Sequence, residues 1–183
     1  FKRYRGATKT EELYKELKYV LDTFAKPLLE LTLELSAGLE ANVGNVEASR
    51  QLLTCLRLAC RVFFSLNSQE LPEVFEDAMA EWMGAFHKFL TYDAPAGLAS
   101  SDDEKASEVD QVKAAVCDNI NLYIEKNEEE FAPYLQTFVQ DVWTLLMATD
   151  LKANRDHLVT SGVKFLTTVA SSVHYKLFES SDT

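Results

Sequence analysis

Apolar side chains recur at helical spacing along almost the whole chain, and this periodicity constrains the fold more than any other feature. The clearest example lies over residues 72–91, where Phe75, Met79 and Trp82 follow one another at three or four residues and Gly84 is the expected position of a bend. No segment shows sustained alternation of apolar and polar residues, which is the pattern of a half-buried strand. The chain is therefore predicted to be all-α.

The predicted helices come in pairs that are joined by tight corners. The pairs cover approximately residues 8–42, 45–92, 102–148 and 154–183. Proline begins the second helix in three of them, at Pro27, Pro72 and Pro133. Proline is tolerated at that position because its missing N–H has no partner inside the helix there.

The pair starts are about 36, 57 and 51 residues apart. Helix pairs with periods of roughly 40–47 residues, loosely kept, are typical of HEAT repeats. We therefore predict a HEAT-repeat α-solenoid, a right-handed superhelical stack of about four antiparallel helix pairs in one continuous segment over residues 1–183. The sequence opens at Phe1 in the middle of a pattern, and we expect the segment to belong to a longer solenoid. A compact helical bundle is the alternative architecture.

The chain is acidic, and its charge is unevenly distributed. Its 183 residues carry a formal net charge of -11, although residues 1–9 hold four basic side chains and no acid. Residues 67–93 carry six acids against one lysine, and residues 100–130 carry ten acids against three lysines. Such a field repels nucleic acid and anionic membranes and favours basic partners. No apolar run approaches the roughly 20 residues that span a bilayer, so neither nucleic-acid binding nor membrane insertion is predicted.

Three acidic residues form a stripe on the predicted second helix of the second pair. Glu73, Asp77 and Glu81 follow each other at four residues, opposite the apolar face. Like charges at this spacing destabilise an isolated helix by a few tenths of a kcal/mol per pair. Second helices line the concave surface of a solenoid, so we predict that these three residues bind a protein. A solvated face that keeps the solenoid soluble is the alternative interpretation.

The sequence contains no recognisable reaction centre. It lacks the phosphate-binding loop, the dinucleotide-binding glycine pattern, the nucleophile elbow, the H-E-x-x-H zinc motif and the C-x-x-C pair. None of His87, His157 and His174 follows a glutamate by three residues, as the ligands of a di-iron bundle do. We therefore predict no catalytic residue, no metal and no cofactor.

Several other side chains are interpreted structurally. Trp82 and Trp143 are predicted to lie in the core, and Cys55, Cys60 and Cys117 are predicted to be small buried hydrophobic residues. The acids of residues 102–104 are interpreted as a helix N-terminus, where the helix dipole favours them, rather than as a binding site.

Four collinear stretches resemble one family. The run SLNSQELPEVFEDAMAEWM, from Ser65 to Met83, resembles the SLN-x-Q-[DE]-LPE-x-FED-x-M-x-x-WM sequence of the exportin-2 family, the importin-α re-exporters of the importin-β superfamily. The other three stretches are KRYRGATKTEELYKELKYVLDTFAKPL, VCDNINLYIEKNEEEFAPYLQTFVQDVWTLL and KFLTTVASSVHYKLF. The chain departs from the family at Ser68, which stands where an aromatic residue is usual, over residues 31–50, and in the loop around residues 93–108.

The resemblance implies a slice from the N-terminal half of a HEAT-repeat superhelix. It implies a non-enzymatic nuclear transport receptor that shuttles between nucleus and cytoplasm. Such a receptor binds the small GTPase Ran in its GTP form together with importin-α, returns importin-α to the cytoplasm, and releases it when Ran hydrolyses GTP. Glu73, Asp77 and Glu81 are then hypothesised to face a basic patch on importin-α or Ran. A HEAT-type or helical-bundle adaptor unrelated to nuclear transport, and a helical enzyme with a closed pocket, remain open.

Overall fold

The computed structural model describes residues 10–68, 72–98 and 105–172, and all regular structure in these ranges is helical. The α-helices are α1 (Glu11–Ala41), α2 (Val46–Asn67), α3 (Glu73–Asp77), α4 (Met79–Thr91), α5 (Glu108–Lys126), α6 (Glu128–Ala148) and α7 (Asp156–Ser171). Two short 3-10 turns, Ala96–Leu98 and Ala153–Arg155, precede α5 and α7. The prediction of an all-α chain is confirmed.

Side-chain caps define three of the helix starts. The Thr10 hydroxyl accepts a hydrogen bond from the backbone N–H of Leu13 at 3.2 Å, and the Asn45 side chain accepts one from Ala48 at 3.1 Å. Ser107 caps α5 in the same way, so this helix begins later than the predicted pair at 102–148. Each cap satisfies one of the N–H groups that a helix start leaves without an intrahelical partner. The acids of residues 102–104 lie outside the described residues.

The prediction that residues 8–42 form a helix pair is wrong, because α1 continues through Pro27 as a single helix. Proline in a helix interior removes one backbone hydrogen bond, here to the carbonyl of Thr23, and costs about 3 kcal/mol. Thr23 and Pro27 are both exposed, so water can hydrogen-bond to the freed Thr23 carbonyl. Ala25 and Leu28, on either side of the proline, are buried. Burial of the face that continues through this region offsets the local cost.

The second helix of the second pair is interrupted at Ala78 and not bent at Gly84. Ala78 has φ -101° and ψ 20°, and its N–H bonds to the carbonyl of Glu76. The segment before the break, α3, packs against α1, whereas α4 packs against α1, α5 and α6. The two segments thus share α1 as a neighbour, and α4 also packs against α5 and α6. Gly84 is an ordinary helical position within α4.

The predicted acidic corner before Pro133 is the first turn of α6. Asn127 alone connects the helices, since its N–H bonds to the Tyr123 carbonyl at 2.8 Å and its own carbonyl accepts from Phe131 at 3.1 Å. The three glutamates that follow occupy the first turn, where the helix dipole favours negative charge. Pro133 is therefore inside the helix and not at its start.

The helices form two layers. One layer contains α2, α5 and α7, which pack successively on one another, and the other contains α1, α3, α4 and α6. Within the described ranges, α2 is followed by α3 and α4, and α5 is followed by α6, so first-layer and second-layer helices alternate along the chain. This two-layer stack is an α-solenoid, as predicted. The hand of the superhelix stays a prediction.

An aromatic cluster joins the layers around Phe63 of α2, which has no exposed surface. Its ring lies edge-on to Phe75 and Phe86, with centroid separations of 5.2 and 5.1 Å. Trp82 lies at 4.6 Å and Tyr123 at 6.0 Å. Trp82 is 1% exposed, so its predicted place in the core is confirmed.

Trp143 and Cys55 were wrongly predicted to be buried. Trp143 is 50% exposed on a flank of α6, and Cys55 is exposed on α2. Asp141, about 200° around α6 from Trp143, contacts α4 through His87, so Trp143 points away from α4. Periodicity identifies the apolar side of a helix but not which flank has a neighbour. Cys60 and Cys117 are buried as predicted.

Replacing Phe63 with alanine is expected to lower the free energy of unfolding by about 3–5 kcal/mol, because the surrounding rings cannot fill the cavity left behind. The measurement is urea denaturation followed by tryptophan fluorescence in a Trp143→Phe background, in which Trp82 is the single tryptophan. Leu58→Ala is the matched control, because Leu58 lies on the same helix and is 47% exposed. It is expected to change stability by about 0.5 kcal/mol or less. Equal effects of the two substitutions would contradict a core centred on Phe63.

Thiol labelling at neutral pH is expected to modify Cys55 alone in the folded protein. Burial raises the pKa of the Cys60 and Cys117 thiols to about 12, so both stay protonated as well as inaccessible. Mass spectrometry should find one adduct before unfolding and three after it. Rapid labelling of Cys60 or Cys117 without denaturant would contradict this packing.

Candidate protein-binding surface

Four acidic side chains line the exposed side of α3 and the start of α4. We call Glu73, Glu76, Asp77 and Glu81 the acidic surface, and all four are exposed. Among the residues that the structure describes, none of their carboxylates forms an ion pair or a hydrogen bond. Four unpaired negative charges within nine consecutive residues can attract a basic partner from solution.

The break at Ala78 changes the geometry of the predicted stripe. Glu73 and Asp77 remain one turn apart on α3, whereas Glu81 lies in the first turn of α4. The start of a helix favours acidic side chains through the helix dipole. The dipole of α4 therefore favours Glu81, and the regular four-residue spacing on one helix is kept only between Glu73 and Asp77.

Glu76 was not predicted, because it lies off the four-residue stripe. The sequence does indicate that Glu76 is exposed, because it stands between Phe75, which is buried, and the acidic Asp77. Val74, which is 38% exposed, adds a small apolar area beside these acids. The resulting surface is mixed, and it fits a partner that carries both basic and apolar groups.

Contacts on both flanks of α4 fix the position of the acidic surface. Toward α1, the Lys88 ammonium lies 3.1 Å from the Glu40 carboxylate, with both side chains largely exposed. Toward α6, Nδ1 of His87 lies 2.6 Å from Asp141, whose side chain is only 10% exposed. An exposed pair is worth about 0–1 kcal/mol, and a charged hydrogen bond to a less exposed group is worth more. The contact with α6 is therefore the stronger of the two.

The end of α2, at Ser68, is also tied to α5 of the same layer. The ammonium of Lys126, at the end of α5, donates a hydrogen bond to the backbone carbonyl of Ser68. Ser68 follows the last residue of α2. The chain that leads into the acidic surface is thus attached to α5 as well as to α2.

The described residues contain no arrangement that resembles a catalytic or metal centre. No cluster of three or more His, Cys, Asp or Glu side chains with metal-binding geometry is found among them. His87 makes a structural contact with Asp141, His157 is exposed at the start of α7, and Cys117 is fully buried in α5. His174 lies outside the described residues. None of the helices that the structure describes is long and apolar enough to cross a bilayer.

The Cse1 family profile matches residues 1–183, the whole chain. Exportin-2 of Oreochromis niloticus is 44% identical over 187 residues, which cover 100% of this chain and 19% of that protein. Exportin-2 of Drosophila melanogaster is 44% identical over 180 residues, covering 98% of this chain and 18% of that protein. Human exportin-2 is 43% identical over 187 residues, with coverages of 100% and 19%.

A solved structure described as the exportin Cse1 in its cargo-free, cytoplasmic state superposes with a TM-score of 0.90 at 33% sequence identity. The match covers 100% of this chain and 20% of that one. The chain thus spans about a fifth of the length of the relatives it matches. The sequence matches and the backbone match each cover the whole chain, and they agree with each other. The chain belongs to the Cse1 family of exportins.

Proposed function

We propose that this chain is a segment of a nuclear transport receptor, an exportin that binds Ran in its GTP form together with importin-α and returns importin-α from nucleus to cytoplasm. The observation that carries the proposal is the match to the Cse1 family over residues 1–183. The receptor shuttles between the two compartments. GTP hydrolysis belongs to Ran, and this chain contributes structure and binding surface without catalysing a reaction.

The two-layer stack is suited to this role. Each helix is held by its neighbours in the same layer and by the opposite layer, so its remaining face is available to a partner. Stacked pairs offer such faces in series over a long distance, which suits a receptor that holds two proteins at once. Bound Ran and importin-α can then contact different parts of one continuous scaffold.

We further propose that the acidic surface, including the predicted residues Glu73, Asp77 and Glu81, faces a basic patch on importin-α or Ran. Its support is the four exposed carboxylates, which have no partner among the described residues. Exposed charges of this kind are worth about 0.2–1 kcal/mol each and act mainly on the association rate and on specificity. The net charge of -11 strengthens the attraction for a basic partner at long range.

The test is importin-α binding by the intact receptor, with Ran loaded with GTP or with GDP. The native protein is compared with the triple variant Glu73→Lys/Asp77→Lys/Glu81→Lys. Native binding is expected to require Ran-GTP. The triple variant is expected to associate roughly tenfold more slowly at low salt, with a smaller difference at high salt because ions screen exposed charges. Stopped-flow or surface-based kinetics at two salt concentrations give the rates.

A matched control separates the effect of charges at the acidic surface from the effect of the net charge of the chain. Glu47→Lys/Glu129→Lys/Asp156→Lys reverses three exposed acids in the first turns of α2, α6 and α7, with the same change in net charge. If only the first triple slows association, the acidic surface is the binding site. If neither does, the acidic surface is a solvated face and the export function stands. Binding that ignores the nucleotide would contradict the export function and favour an unrelated adaptor.

A further inference from the structure

A small cavity lies where the C-terminal ends of α2 and α5 meet. Its volume is about 10 Å³, and it is lined by Asn67, Leu122, Tyr123, Lys126 and Asn127. One water molecule needs roughly 10–15 Å³ on this scale. The cavity is therefore the size of a single water molecule and too small for an organic ligand.

Two buried polar atoms belong to residues that line this cavity. Asn67 and Tyr123 are each 2% exposed. The Asn67 amide nitrogen donates to the Phe63 carbonyl at 2.9 Å, which fixes the orientation of the amide and leaves its oxygen as an acceptor. Neither this oxygen nor the Tyr123 hydroxyl has a hydrogen-bond partner among the described residues. Buried polar groups without partners are strongly disfavoured, and most are satisfied by protein or by ordered water.

We propose that the cavity binds one ordered water molecule, which accepts a hydrogen bond from the Tyr123 hydroxyl and donates one to the Asn67 side-chain oxygen. Both unsatisfied atoms then gain a partner of the right polarity. Burial raises the pKa of Tyr123, so its hydroxyl keeps the proton that this bond requires. The Lys126 ammonium on the cavity wall disfavours a metal cation in the same place.

The bound water acts as a second polar link between α2 and α5. The first is deeper in the interface, where the fully buried Asn119 donates to the Cys60 carbonyl at 3.2 Å. The water lies beside the corner at Ser68, whose carbonyl is already held by Lys126. Together these contacts hold the end of α2 at Ser68, independently of which partner the acidic surface meets.

The substitution Tyr123→Phe tests the proposal through the sign of its effect. If the hydroxyl binds water, its loss removes a hydrogen bond and weakens the corner. Amide exchange at Asn127, whose N–H bonds to the Tyr123 carbonyl, is then expected to become about two- to tenfold faster. If the hydroxyl has no partner, its removal relieves an unfavourable burial and exchange becomes slower. Hydrogen exchange of the intact protein, read by mass spectrometry or NMR, gives this rate.

Tyr19→Phe is the matched control, because Tyr19 is 71% exposed and its hydroxyl reaches bulk water. It should leave exchange at Asn127 unchanged. A high-resolution crystal structure of the native protein should show a density peak about 2.7–3.2 Å from both the Tyr123 hydroxyl and the Asn67 oxygen. Unchanged or slower exchange in Tyr123→Phe, or a map without this peak, would overturn the proposal.

Discussion

The packing of Phe63 against rings from three other helices is the contact on which the described part of the stack depends. Phe63 belongs to α2, Phe75 to α3, Trp82 and Phe86 to α4, and Tyr123 to α5. One side chain thus joins the two layers within a pair and joins that pair to the next. Rings of this size each bury a large apolar area and hold defined edge-to-face geometry. The helices around them are kept at a spacing and angle that smaller side chains would not specify.

Helical periodicity predicted the helices and the burial of Phe75 and Trp82, because a helix that buries one face repeats its apolar residues every three to four positions. It did not predict which rings meet Phe63. It failed where tertiary packing outweighed a local preference. Pro27 and Pro133 are strong local signals for helix starts, yet both lie inside helices whose faces are buried on either side of them. Ala78 carries no local signal for a break, and the helix is nevertheless interrupted there, between α3, which packs on α1, and α4, which also packs on α5 and α6.

The acidic surface could be predicted in part from the same helical periodicity. Exposure of Glu73, Asp77 and Glu81 follows from their spacing relative to Phe75, Met79 and Trp82, which are buried. That these carboxylates have no partner within the described ranges could not be predicted, because it depends on which helices lie alongside. The same is true of Trp143. Its apolar character indicated burial, but the flank of α6 on which it lies does not face α4.

The buried face of each helix could be predicted from periodicity, whereas the neighbours of its flanks and outer face could not. This difference reflects how a solenoid divides the surface of each helix. One face packs across the layers, the flanks pack along them, and the outer face meets solvent or a partner. On α3 the first role belongs to Phe75 and the last to Glu73 and Asp77, within a single segment of five residues. Changes in charge on the outer face leave the aromatic cluster intact, whereas changes in the cluster move every helix that meets it. Under the proposed function, recognition and stability can change separately in such a chain, because different side chains of the same helices would determine them.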